Sequence, residues 1–83
     1  MAARIEYKAS VERDLKALDK QAVARVLGEI EKKLAHRPDS GAPLTGEFKG
    51  LFRFRIGAWR VIYSKSRGSL LILRISHRKE AYR

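Results

Sequence analysis

The stretch from Leu51 to Tyr63 constrains the fold more than any other part of the chain. Apolar and basic residues alternate along it around a central Gly57–Ala58 pair, which is typical of two strands joined by a tight turn. A two-residue turn at this pair sets Arg55 opposite Arg60, and directly opposed residues share one side of a sheet. One face then carries the apolar side chains of Phe52, Phe54, Ile56, Trp59, Val61 and Tyr63. The other face carries Arg53, Arg55, Arg60 and Ile62.

The charge of the chain predicts a polyanionic partner. Nineteen Lys and Arg residues against nine Asp and Glu give a net charge of +10, which favours nucleic acid first and an acidic protein second. Most of the acids precede residue 41, and residues 51–83 contain a single one, Glu80. This uneven distribution indicates a basic surface built by the C-terminal half of the chain.

Composition also excludes several classes of protein. The 83 residues are enough for a single domain, 1–83. The chain has no cysteine, so a disulfide framework and a thiolate metal site are excluded. No apolar run approaches the roughly 18 residues of a membrane span, and the N-terminus lacks a signal-peptide core, so we expect a cytoplasmic protein. His36 and His77 lie far apart without carboxylates at ligand spacing, so we expect no metal and no cofactor.

The remaining segments predict two helices and two further strands. A first strand is expected over residues 3–7, and Ser10 is expected to cap a helix whose apolar stripe contains Val11, Leu15 and Leu18. Asp19 is expected to cap a second helix with the stripe Val23, Val26, Leu27, Ile30 and Leu34. Residues 36–43 form a loop, residues 44–50 an irregular lead-in, and Leu70 to Ile75 a buried last strand after a turn around Gly68.

This order, β-α-α-β-β-β, predicts an α+β fold of two layers. A helical hairpin packs on one side of a small, mostly antiparallel sheet, and the arginines lie on the open side. The register of the last strand stays undecided, because a three-residue loop before it places Arg74 with the arginines, whereas a two- or four-residue loop turns it to the core.

Residues at the C-terminus extend the predicted basic face. His77, Arg78 and Tyr82 are expected to reach its edge, where arginines bind phosphate oxygens and a tyrosine stacks on an unpaired base. Histidine is the only one of these residue types that ordinarily changes its charge near neutral pH, so His77 is the candidate for proton transfer. Such a face suits the phosphorane formed when a ribose 2′-OH attacks its own phosphodiester, a reaction that needs no metal. From the residues alone, plain nucleic-acid binding and catalysis both remain open.

Four sequence pieces together resemble the RelE/ParE superfamily of type II toxins, in its RelE branch. They are Pro43-Leu-Thr-Gly46, Lys49-Gly-Leu-Phe-Arg-Phe-Arg-Ile-Gly57, Trp59-Arg-Val-Ile-Tyr63 and Ile75-Ser-His-Arg-Lys-Glu-Ala-Tyr82. The resemblance covers nearly the whole chain and implies two helices on a small sheet. It also implies a ribosome-dependent endoribonuclease that cuts mRNA and is held inactive by a cognate antitoxin, with contact to DNA only through that antitoxin.

The resemblance also implies roles for individual residues. Arg60 and Arg78 would hold the scissile phosphate, Arg53 and Arg55 would stabilise the leaving oxygen or orient the attack, and Tyr82 would stack on the second base of the codon. We expect further RNA contacts from nearby cations, namely Lys49, Arg74, Lys79 and Arg83.

One departure from the family concerns the general base. Relatives have lysines where this chain has Arg53 and Arg55, and an arginine does not lose its proton in proteins. His77 is therefore the first candidate for the base, and Glu80 the second. Two other functions stay open: a ParE-like, non-enzymatic inhibitor of DNA gyrase, and an inactive or antitoxin-like RNA- or protein-binding module. The presence of Arg78 and Tyr82 favours the nuclease over the gyrase inhibitor.

Overall fold

The structure is a computed structural model and describes residues 2–77 of the chain. Within this range five strands form one sheet in the order β1–β5–β4–β3–β2, in which β1 runs parallel to β5 and the other neighbours are antiparallel. The strands are β1 (Arg4–Tyr7), β2 (Ala42–Pro43), β3 (Leu51–Ile56), β4 (Trp59–Ser66) and β5 (Ser69–His77).

The two predicted helices are present, but only one of the two predicted caps is. Helix α1 spans Ala9–Lys16, and α2 spans Lys20–Glu29 and continues as a π-helical turn over Ile30–Leu34. Asp19 Oδ1 accepts a hydrogen bond from the Ala22 amide at 2.7 Å, which confirms it as the cap of α2. The prediction for Ser10 was wrong, because Lys8 precedes α1 and the Ser10 hydroxyl donates to the Leu73 carbonyl at 2.8 Å.

The helices bury their apolar stripes against one side of the sheet. The core residues are Val11, Val26, Ile30, Leu34, Ile56, Val61, Tyr63, Leu70, Ile72 and Ile75. Each large aliphatic side chain buried in this way contributes about 1.5–3 kcal/mol to folding. The predicted two-layer α+β architecture, with one open sheet face, is confirmed. Among the described residues, no helix is both long and apolar enough to cross a membrane.

The β3–β4 hairpin has the predicted register. Ile56 pairs with Trp59, Arg55 with Arg60 and so on to Leu51 with Ser64. Gly57 has a φ of 59°, a value that side chains with a Cβ rarely adopt and that two-residue hairpin turns require at this position. The turn chemistry and the alternating pattern therefore agree on one pairing.

The strands on either side of the β3–β4 hairpin, β2 and β5, each depart from the prediction. The short strand β2 was not expected, and it pairs Ala42 with Arg53 at the edge of the sheet. Strand β5 contains a bulge, since Ile62 pairs with Arg74 whereas Tyr63 pairs with Ile72, which leaves Leu73 as an extra residue. The bulge reverses the alternation of sides, so Arg74 lies on the open face even though the preceding turn has only two residues, Arg67 and Gly68.

Helix α1 covers the part of β5 that β1 leaves unpaired. Strand β1 pairs with β5 only as far as Ile72. Beyond that point the Ile75 amide donates to Asp14 Oδ2 at 2.8 Å, next to the bond from Ser10 to the carbonyl of Leu73. Side chains of α1 thus replace a neighbouring strand at the bulge, and they satisfy backbone groups that would otherwise lack a partner.

Tyr63 fastens the loop between α2 and β2 to the sheet. Its hydroxyl donates to the Pro38 carbonyl at 2.8 Å and accepts from the Gly41 amide at 3.1 Å. A Cβ at position 41 would overlap the Tyr63 ring, so the close approach requires glycine there. Burial raises the pKa of Tyr63 above its ordinary value, against the lowering effect of the Gly41 hydrogen bond.

We expect Tyr63→Phe to lower the free energy of unfolding by about 1–2 kcal/mol, because two backbone groups lose their partner. Urea unfolding at pH 7 measures this loss, and Tyr7→Phe, at a partly exposed tyrosine of β1, is the matched control. Since the folded state favours the neutral phenol of Tyr63, its contribution is complete below about pH 10 and is lost as the pH rises through the folded-state pKa. Equal stabilities of the two variants would contradict this account of the Tyr63 hydroxyl.

Candidate nucleic-acid interface

The open face, the side of the sheet away from the helices, carries its arginines in two adjacent rows across β3, β4 and β5. The row nearer the β3–β4 turn consists of Arg55, Arg60 and Ser76, and we call it the basic row. The row next to it, farther from that turn, consists of Arg53, Ile62 and Arg74. Two residues along each strand separate the rows, a distance of about 6.7 Å. The structure therefore brings together the three arginines of the hairpin and adds Arg74.

The central pair of this arrangement is electrostatically unfavourable. Arg55 and Arg60 are directly opposed in the register, and like charges in such positions destabilise a sheet. Arg55 is exposed, whereas Arg53 and Arg60 are half-buried between their neighbours. An anion bound between these side chains would relieve the repulsion, and a phosphate oxygen matches the geometry of the guanidinium donors.

Asp14 orients the remaining arginine of the face. Its carboxylate accepts from Arg74 Nε at 3.1 Å, in addition to the amide of Ile75. The Arg74 side chain is 59% exposed and that of Asp14 only 13% exposed. Asp14 was not predicted as a site residue. An acidic residue in the predicted first helix is ordinary, and no local pattern indicates that it contacts Arg74, sixty residues later in the chain.

His77 does not join the arginines. It pairs with Trp59 in the register, so its side chain lies on the helix-facing side of the sheet, and its ring meets the Trp59 ring edge-on with centroids 5.0 Å apart. The expectation that His77 reaches the edge of the basic face is therefore corrected, because the bulge at Leu73 turns His77 to the other side. Its role as a general base stays a prediction.

The other predicted site residues are placed as follows. Lys49 ends the short 3₁₀ turn of Gly46–Phe48 and is exposed just before β3. The predicted contacts of Arg78, Lys79, Tyr82 and Arg83, and the alternative base Glu80, lie outside the described residues. Among residues 2–77, no group of three or more His, Cys, Asp or Glu side chains gathers at metal-binding distance.

A second basic feature, not predicted from the sequence, lies on the helix side of the sheet. It is a groove of about 370 Å³ lined by Lys32, Lys33, His36, Arg37, Ser40 and Phe54. Its basic side chains come from the π-helical turn that continues α2 and from the residues just after that turn, whereas its aromatic ring comes from β3. Only the tertiary fold brings them together.

Comparison with known proteins identifies the family. A family model described as the ParE toxin of the type II toxin–antitoxin system, parDE, matches residues 5–82. The chain belongs to this toxin family. A comparison with curated proteins finds no significant match.

Solved structures place this toxin in the RelE-like part of the superfamily. A chain of the RelBE2 toxin–antitoxin complex from Mycobacterium tuberculosis is 28% identical, with a TM-score of 0.90 over 96% of this toxin and 95% of that chain. A chain of the archaeal RelE–RelB complex from Pyrococcus horikoshii is 29% identical, with a TM-score of 0.73 over 98% and 100%. YafQ from E. coli, 18% identical over 98% and 99% with a TM-score of 0.67, shares the fold. The predicted RelE-like resemblance is thus confirmed.

We expect Arg55→Thr to leave the toxin as stable as the native chain or to stabilise it by up to about 1 kcal/mol, because it removes the like-charge pair and favours a strand. Urea unfolding at low and at high salt measures the change, which should shrink as salt screens the repulsion. Arg67→Thr, at the exposed β4–β5 turn, removes the same charge as a control. A clear loss of stability in Arg55→Thr alone would show that the Arg55 side chain is held by favourable contacts instead.

Proposed function

We propose that this toxin is a ribosome-dependent endoribonuclease that cleaves mRNA. The observation that carries the proposal is the pairing of Arg55 with Arg60 beside Arg53 on an open sheet face. Cations placed this close together lower stability unless an anion binds between them. The anion proposed is the scissile phosphodiester, and the similarity to RelE chains supports this assignment.

The reaction proposed is an internal transesterification. The ribose 2′-OH gives its proton to a base as its oxygen forms a bond to phosphorus, and the bond from phosphorus to the 5′-oxygen breaks as that oxygen takes up a proton. The products carry a 2′,3′-cyclic phosphate and a 5′-OH, with no net change in the number of protons. Arg60 and Arg78 hold the phosphate and neutralise the charge that grows on its oxygens in the transition state, which is the largest catalytic effect available to such a site. Arg53 and Arg55 stabilise the departing oxygen, and Tyr82 stacks on a base.

The proposed protein partner is a cognate antitoxin. Similar chains occur in structures described as toxin–antitoxin complexes. The net charge of +10 favours an acidic or amphipathic partner that covers the basic face. Co-purification with the product of the neighbouring open reading frame tests this partner.

The second candidate function is inhibition of DNA gyrase, because the matching family model is that of ParE toxins. In that case the toxin would bind and inhibit DNA gyrase without catalysing a reaction. The paired arginines would then contact an acidic protein surface, and no RNA would be cut.

We expect Arg60→Ala and Arg78→Ala each to lower the rate of mRNA cleavage at least about 100-fold, because each removes a stabilising charge at the phosphate. The measurement uses purified toxin and programmed ribosomes with EDTA present, and the product ends are analysed for the cyclic phosphate. Arg67→Ala is the matched control for loss of one positive charge. Intact mRNA with the native toxin, together with inhibition of gyrase supercoiling, would replace the nuclease by the gyrase inhibitor.

The pH dependence of cleavage tests His77. If this residue is the general base, His77→Gln removes the limb of the pH–rate profile near neutrality. Because its ring lies on the side of the sheet away from Arg55 and Arg60, we expect the limb to remain and the overall rate to change little. Disappearance of the limb would restore His77 as the base and require its ring to reach the open face.

A further inference from the structure

Three aliphatic residues interrupt the polar pattern of the open face. Leu51 and Leu71 both pair with Ser64 across β4, and Ile62 lies in the next row between Arg53 and Arg74. All three aliphatic residues are half-buried, so part of each stays accessible to solvent. We call Leu51, Ile62 and Leu71 the apolar patch. The open side of an antiparallel sheet is normally polar, and the three aliphatic residues around Ser64 depart from that pattern.

The size and surroundings of the apolar patch limit what it binds. It spans three strands, which is about 10 Å, and two rows, which is about 7 Å. Ile62 is two residues from Arg60 along β4, so the patch begins where the basic row ends. Arg53 and Arg74 flank Ile62 on the neighbouring strands. On the β1 side, the exposed Glu6 pairs with Leu71. The surface is therefore a small apolar floor with cations on both sides of Ile62, a cluster of cations at one end and one carboxylate beside Leu71.

We propose that the apolar patch binds one unstacked base of single-stranded RNA whose backbone phosphate is held by Arg53, Arg55 and Arg60. The inference rests on the proposed function and adds a base-binding position on the sheet itself. A nucleobase has apolar faces and a polar edge, and it is joined to its phosphate at about the distance that separates neighbouring rows. Single-stranded RNA is recognised through such splayed-out bases on an apolar or aromatic platform.

The flanking arginines fit the same ligand. Guanidinium planes stack on bases as well as bind phosphate, and Arg53 and Arg74 lie on either side of the floor. The ion pair of Arg74 with Asp14 limits the positions of the guanidinium before any ligand arrives, which reduces the entropy lost on binding. Arg53 and Arg74 beside Ile62 and the two arginines of the basic row outnumber the single carboxylate of Glu6 beside Leu71, and this balance favours a polyanion with apolar groups over a neutral ligand.

The test compares Ile62→Thr with Ile62→Val, two variants of nearly equal shape that differ in the polarity of the side chain. Each toxin is assayed on programmed ribosomes with mRNAs that lack a single base, at successive positions around the cleavage site. With the native toxin we expect removal of one particular base to raise KM about five-fold, equivalent to burial of about one methylene group. In the Ile62→Thr toxin, KM for intact mRNA rises by a similar factor, and removal of that base causes no further rise. In the Ile62→Val toxin, removal of that base raises KM as it does in the native toxin.

Leu71→Thr provides a second variant of the apolar patch, and urea unfolding establishes that each variant is folded. If the native toxin cuts mRNA but both threonine variants keep the native response to every abasic position, the apolar patch does not bind a base. If they cut normally but bind the antitoxin more weakly, a protein partner occupies the patch and the inference is overturned. If the native toxin cuts no mRNA at all, the proposed function has failed, and this inference fails with it.

Discussion

The two-residue turn at Gly57 and Ala58 decides which side of the sheet every residue of the hairpin occupies. A slip of one residue in the pairing would turn over one of the two strands, so that either Arg53 and Arg55 or Arg60 would face the core. Burying even one of these cations without a partner costs several kcal/mol. The positive φ of Gly57 and the burial of Ile56, Val61 and Tyr63 select the same register. The basic face thus depends on the packing of its opposite side.

The bulge at Leu73 is the second determinant of the face, and it exchanges the positions of two residues. In a regular strand starting from buried Leu70, Arg74 would point into the core and His77 would join the arginines. The extra residue reverses both positions, so Arg74 is exposed and His77 contacts Trp59. Ser10 of α1 binds the carbonyl of the bulge residue Leu73, and Asp14 of α1 binds the amide of Ile75 two residues later. A helix on one face of the sheet therefore determines the composition of the other face.

The difference between local sequence patterns and contacts between distant segments explains how much of the molecule could be predicted from the sequence. The hairpin, its faces and the two helical stripes follow from local alternation and turn chemistry, and these were predicted correctly. The bulge, the short β2 strand and the bond from Ser10 to Leu73 depend on contacts between distant segments, for which the sequence has no local pattern. Arg74 and His77 are three residues apart, so a regular strand could not place both with the arginines. Only the bulge, itself a tertiary feature, decides between them.

The energetics of the three central strands show how a sheet tolerates such a concentration of charge. The repulsion between Arg55 and Arg60 costs at most about 1 kcal/mol on an exposed face in salt. On the other side of the same strands, Ile56, Val61 and Ile75 each contribute about 1.5–3 kcal/mol by burial. Because core residues and arginines alternate along one backbone, the packing of the core fixes the spacing of the arginines. The arginines are consequently close together in the fold itself, and under the proposed function a bound phosphate would gain the attraction of several charges without the cost of assembling them.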